Sequence, residues 1–144
     1  MVITVYCRQL KEDPGSAVWA HPELEEFLKK EYRRLYFARH IRPTVNAGET
    51  RPEHSVFAAR FVKTRSTAIL NAVWDGIDIP DNLDRHIRTL KDEGMLNIFF
   101  ELDLAHAWQS GLTPVLLQKG FIPRIILPYA GDGDIVLFQH SEDR

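Results

Sequence analysis

The sequence predicts a single α/β (α+β) domain built on a mixed β-sheet, with the element order β-α-β-β-α-β-α-β-β. Three observations carry that reading. Thr67–Trp74, a segment with Leu83, Ile87 and Leu90 at helical spacing, and Met95–Leu104 make a strand–helix–strand unit, and two parallel strands need a crossover of that kind. Ser55–Val62 and Thr67–Trp74, separated by the polar turn Lys63-Thr64-Arg65-Ser66, make a hairpin. Phe121–Leu127 and Ile135–Gln139 flank Pro128-Tyr129-Ala130-Gly131-Asp132-Gly133-Asp134, a second hairpin turn. The sheet is expected to be mainly antiparallel with at least one parallel pair, and helices are expected on both faces.

The elements follow in order. Val2–Arg8 alternates bulky and polar residues and reads as a strand, and Gln9–Ala20 reads as loop. Pro22 suits a first helical turn, with Glu23, Glu25 and Glu26 early and Lys29, Lys30, Arg33 and Arg34 late, the charge order a helix dipole favours. Leu24, Phe27, Leu28 and Leu35 supply its apolar stripe, so a helix is expected over Pro22–Phe37. Ala38–His54 carries prolines, a glycine and no periodicity; it is expected to be irregular, and connections of that length are often functional. Ala107–Lys119 reads as helix ending at Gly120, with Pro114 either in its first turn or at a kink. Pro123 removes a ladder donor, which places Phe121–Leu127 at a sheet edge.

Composition bounds the function classes. A chain of 144 residues is one ordinary domain, long enough to bury about two-thirds of its unfolded surface. With 44% apolar and 26% charged residues and a formal net charge of −2, it has no overall field to draw nucleic acid or an anionic membrane. No run approaches the roughly 20 apolar residues of a membrane helix. The N-terminus lacks a basic region ahead of an apolar one, and the single Cys7 cannot form an internal disulfide, so a cytoplasmic protein is expected. The six histidines show no i,i+4 pair and no short ligand spacing, and no metal site is expected. Gly131-Asp132-Gly133-Asp134 reads as turn chemistry rather than a calcium loop. Trp19, Trp74 and Trp108 could line a cleft between splayed strands, but large aromatics are more often core.

Several short motifs, taken together, resemble a known family. They are Tyr32-Arg33-Arg34-Leu35 with Ile41; Ser55-Val56; Ala68-Ile69 running into Gly76-Ile77-Asp78; Glu101-Leu102-Asp103-Leu104; and Gly120-Phe121 leading to Gly133-Asp134-Ile135-Val136-Leu137-Phe138-Gln139. Their order and spacing resemble the GNAT acyltransferase fold over nearly the whole chain. The nearest local likeness is to divergent GNAT-like modules attached to bacterial regulatory ATPases of the anti-sigma-factor type. The resemblance implies a parallel strand pair that splays around the pantetheine arm of acetyl-CoA or another acyl-CoA. It implies a pyrophosphate cradle at the start of the crossover helix, here at Gly76, Ile77, Asp78 and Asn82. A homodimer is also what such folds suggest.

Residue by residue, this cradle departs from the family pattern. The stretch Asp75-Gly76-Ile77-Asp78-Ile79-Pro80-Asp81-Asn82 lacks the glycines that let a pyrophosphate approach the backbone. Pro80 has no N–H, and Asp78 or Asp81 is expected to cap the helix. A carboxylate about 4 Å from a phosphate costs roughly 4 kcal/mol at a surface-like dielectric, more than the ~0.3–1 kcal/mol an exposed helix N-terminus returns. Where many family members carry a tyrosine that protonates the departing thiolate, four residues before the glycine of Gly120-Phe121, this chain has Leu116.

Two further groups are candidates. Glu101, on an otherwise apolar strand, could serve as a general base toward an amine, or be a salt-bridged surface carboxylate. Lys29–Arg42 concentrates cations among aromatic residues and could meet a phosphate-bearing ligand, RNA or an acidic partner; Arg33, Arg34, Arg39 and Arg42 are the candidate contacts, with Arg39 and Arg42 preferred. The alternative is a solvated helix end with dipole-matched charges. Three functions follow: a catalytically degenerate GNAT-like module that binds a small molecule or partner protein in a regulatory role, which the missing cradle and acid favour; an active acyl-CoA-dependent N-acetyltransferase; and a binder of nucleic acid or acidic protein, of which nucleic acid is disfavoured.

Overall fold

The computed structural model describes residues 17–37, 39–43 and 52–141. The strand expected over Val2–Arg8, and Cys7 with it, lies outside the described residues. Two short strands come first. β1 (Ala17–Ala20) and β2 (His40–Pro43) pair in parallel, Ala17 opposite His40 and Ala20 opposite Pro43. Both correct the sequence reading, which placed Ala17–Ala20 in a loop and His40–Pro43 in an irregular connection. Four residues are too few to show alternation, so these strands are defined by their mutual pairing and by the Trp19 N–H bond to the Leu104 carbonyl at 2.9 Å.

Between them lies helix α1 (Pro22–Leu35). His21 is its N-cap, with Nδ1 accepting from the Glu23 N–H at 3.1 Å. Its last residue, Leu35, lies two before the expected limit at Phe37, and Tyr36, at φ 59°, ends it in the left-handed conformation.

The main sheet is five-stranded, in the order Val56–Val62, Thr67–Trp74, Asn97–Asp103, Ile135–His140 and Phe121–Leu127. β3 (Val56–Val62) and β4 (Thr67–Trp74) form the expected antiparallel hairpin. Helix α2 (Ile79–Asp92) crosses from β4 to β5 (Asn97–Asp103), and β4 and β5 are parallel. After two short helices, α3 (Ala107–Ser110) and α4 (Thr113–Gln118), the chain closes with the antiparallel pair β6 (Phe121–Leu127) and β7 (Ile135–His140). The single helix expected over Ala107–Lys119 is thus two pieces, with Pro114 in the first turn of the second, where its missing N–H breaks no helical bond. β6 is the last strand of the sheet, and its pairing is irregular between Pro123 and Ile125. That agrees with the edge position read from the proline.

One phase of the strands carries the core. Ala68, Leu70 and Ala72 of β4, Ile98, Phe100 and Leu102 of β5, and Val136 and Phe138 of β7 are all buried. The Phe57 ring stands 5.2 Å from His86 of α2 and 5.6 Å from Phe100, and Phe100 stands 6.0 Å from Phe121. Leu83, Ile87 and Leu90 of α2 complete this layer, each contributing about 1.5–3 kcal/mol on burial. Lys119, next to α4, bonds Asp84 of α2 at 2.9 Å, and α1 packs on α4 and β6. The opposite phase, with Ile69, Asn71, Phe99, Glu101, Leu137 and Gln139, is half-buried. Helices on both faces were expected; α2 covers the face of Phe100, with His86 and Phe57 between helix and sheet. Neither Trp74 nor Trp108 is in the core, and Trp19 is only half-buried.

Candidate functional site

The parallel pair stops short of its strands. The ladder runs from Thr67 opposite Asn97 to Asn71 opposite Glu101. Beyond that rung β4 keeps only β3, with Ala72 opposite Phe57 and Trp74 opposite Val56, and β5 keeps only β7, with Leu102 opposite Val136. The Asp103 N–H, of the same phase as Glu101, donates instead to Gln109 Oε1 at 3.0 Å. The sheet therefore divides at the carboxyl ends of its two parallel strands, the place where open α/β sheets receive ligands.

At this division stand Gly76, Ile77, Asp78 and Asn82, brought together at the start of α2 but turned toward the protein's own chain. The Gly76 N–H donates to Asp75 Oδ1 at 2.8 Å, and the Ile77 N–H to the Pro52 carbonyl at 2.9 Å. The Ile79 and Asn82 N–H groups are taken by the Gly76 and Asp78 carbonyls at 3.4 and 2.8 Å. Asp78 occupies the N-cap position yet makes no side-chain cap bond, which corrects the expected role. Its Oδ1 accepts from the Ser55 N–H at 2.6 Å and the Ser55 hydroxyl at 2.7 Å. The Asn82 side-chain amide donates to the Ser55 hydroxyl at 2.8 Å and the Ser55 carbonyl at 3.2 Å. Gly76 leaves no room above it: an added Cβ would lie 2.5 Å from the His54 carbonyl carbon and the Ser55 nitrogen. Ser55 was absent from the candidate residues, because only its neighbour in space, 23 positions on, gives it meaning.

The Ser55 hydroxyl and N–H, with His54 nearby, hold the Asp78 carboxyl below the usual carboxylate range, against the opposing effect of desolvation. A carboxylate depressed in the folded state contributes stability above the ordinary aspartate range and loses it as pH falls through the depressed value. The Ser55 amide resonance is accordingly expected to titrate with a midpoint below that of an ordinary aspartate. In Ser55→Ala the Asp78 midpoint should move back upward, and an unchanged midpoint would contradict the assignment.

Glu101 sits on the last rung of the parallel ladder, on the half-buried face, and its carboxylate meets Arg60 of β3 at 2.9 Å. Leu116, at the position the resemblance gives to an acid, is fully buried in the core.

The basic region is taken apart by the fold. Arg39, a preferred ligand contact in the sequence reading, is enclosed: its side chain is 1% exposed. Its Nε donates to Asp134 Oδ2 at 2.8 Å, and its guanidinium lies 5.0 Å from the centres of the Phe37 and Tyr129 rings and 5.6 Å from Tyr32. The Tyr32 hydroxyl donates to the same Asp134 oxygen at 2.6 Å, and the Tyr129 N–H to the other at 3.1 Å. Burial, then the neighbouring Asp134 charge, pushes the Tyr32 phenol well above its ordinary range. This cluster ties α1 to the last hairpin. Arg34 pairs with Glu31 at 2.9 Å and Lys29 with Glu25 at 2.9 Å. Arg33 is exposed, and the exposed Arg42 lies 5.6 Å over Trp19.

Asp103, His106 and Asp132 also come together, with potential ligand atoms within 4.8 Å of one another. The Asp103 carboxylate is occupied by the N–H groups of Ala105, Asp132 and Gly133 at 2.8–3.2 Å, and His106 Nε2 contacts Asp132 at 2.7 Å. Its evident work is to hold the turn between β6 and β7. No described helix is long and apolar enough to cross a membrane. In comparisons with protein-family models, curated proteins and solved structures, no match was found.

Proposed function

We propose that the chain is a divergent GNAT-fold module whose acyl-CoA position is closed by its own backbone, and that it binds a small molecule or a partner protein in a regulatory role. The observation that carries the reading is the state of the Gly76–Asn82 stretch. The N–H groups of Gly76, Ile77, Ile79 and Asn82 are all bonded within the protein, Pro80 has none, and Asp78 and Asp81 add negative charge where a pyrophosphate would sit. The GNAT assignment is supported by the sheet order, the parallel β4–β5 pair and its parting at Asn71 and Glu101. The loss of ordinary transferase chemistry is supported by Leu116, which has no proton to give.

Calorimetric titration with acetyl-CoA is the test. No sub-millimolar binding is expected. A sub-millimolar dissociation constant, weakened by changes within Asp78–Asn82, overturns the reading in favour of an active N-acyltransferase. That second reading draws on the position of Glu101 at the rung where the strands part, with Arg60 holding its carboxylate. A binder of acidic partners through Lys29–Arg42 loses one of its two preferred contacts with the burial of Arg39, while Arg42 stays exposed.

A further inference from the structure

Pro52–Ser55 crosses the start of α2 without belonging to the sheet, since β3 pairing begins at Val56. Pro52, Glu53 and His54 are exposed, and only Ser55 is buried. What holds the segment is polar: the Ile77 N–H on the Pro52 carbonyl, Asp78 on the Ser55 N–H and hydroxyl, and the Asn82 amide on Ser55. His54 Nδ1 and Arg85 stand 3.6 and 3.9 Å from Asp78 Oδ2 at the edge. Segments with few buried apolar contacts open locally well below the free energy of global unfolding. The floor beneath is Gly76, where any side chain would strike the His54–Ser55 backbone.

We infer that Pro52–Ser55 is a releasable strap that keeps the divided carboxyl end of β4 and the start of α2 closed, an autoinhibitory contact on the acyl-CoA position that the proposed function reads as closed. Its opening frees the Ile77 N–H, the Asn82 side-chain amide and the Asp78 carboxylate together, while the core beneath the sheet stays packed. This rests on the proposed function, because it is that ligand position which the strap would guard.

Residue-resolved hydrogen exchange on the full chain tests it. Gly76→Ala pushes the strap off by steric contact alone. The Ser55 and Ile77 amides are expected to exchange about tenfold faster or more, with the Leu70 and Phe100 amides of the sheet unchanged. Ser55→Ala, which removes the hydroxyl from Asp78 and Asn82, should act in the same direction and serves if Gly76→Ala does not fold. The inference is overturned if strap amides keep their wild-type rates in the folded variants, or if the sheet amides accelerate by the same factor. Acetyl-CoA titrated against the wild type separates the two readings: sub-millimolar binding overturns the proposed function and the autoinhibitory role with it, whereas the exchange rates test the release of the strap independently of any ligand.

Discussion

Replacing Arg39 with alanine is expected to destabilise the fold by about 3–5 kcal/mol, because it strands a buried carboxylate without its cation. Asp134 would keep the Tyr32 hydroxyl and the Tyr129 N–H, two neutral donors, in a site where the side chain is 3% exposed. The three aromatic rings that now enclose the guanidinium would also face a void. Against a total stability of about 5–15 kcal/mol for an ordinary domain, this is a large share. Urea denaturation midpoints measure it. Arg39→Lys should fall between wild type and alanine, since an ammonium keeps the charge but loses the planar fork and its stacking. Arg42→Ala, at an exposed site, should stay within about 0.5 kcal/mol. A small effect at Arg39 would mean that the cluster is not the tie between α1 and the last hairpin, and would return Arg39 to the list of ligand contacts.

Phe100→Ala is the second large effect, expected at about 3–5 kcal/mol. Phe100 is fully buried at the centre of the sheet, between Leu70 and Phe138, with the Phe57 and Phe121 rings edge-on to it. Removing it opens a cavity that the paired strands cannot collapse. Phe99→Ala, one residue away on the half-buried face, should cost less than half as much. The contrast checks the one-sided burial of the sheet, and equal effects at the two positions would contradict it. Thermal unfolding of both variants under one set of conditions is sufficient.

The two hairpins, the parallel crossover and the edge position of β6 were legible in the sequence because their signals are local. The apolar, β-favouring run Thr67–Trp74, the spacing of Leu83, Ile87 and Leu90, and a proline in a strand act over a few residues. Only the structure shows the alternation of burial within that run, at Ala68, Leu70 and Ala72. The weaker readings fail where the partner is distant. β1 and β2 are four residues each and exist through one another.

The candidate site divides in the same way. The composition of Asp75–Asn82 could be read from residue types alone: a proline without a donor, carboxylates beside a helix start, few glycines. What fills the place could not, because Ser55 is 23 residues from Asp78 in the chain and its hydroxyl is an unremarkable one until the fold sets it 2.7 Å from that carboxylate. Arg39 is the sharper case. In sequence it is one of a run of cations beside aromatic residues, the composition of a binding surface. Its true partner, Asp134, is 95 residues away, and a charge is drawn inside only where an opposite charge and several hydrogen bonds offset its lost hydration. Local pattern decided which segments are strands and helices; long-range pairing of polar groups decided which charged residues remain available for function.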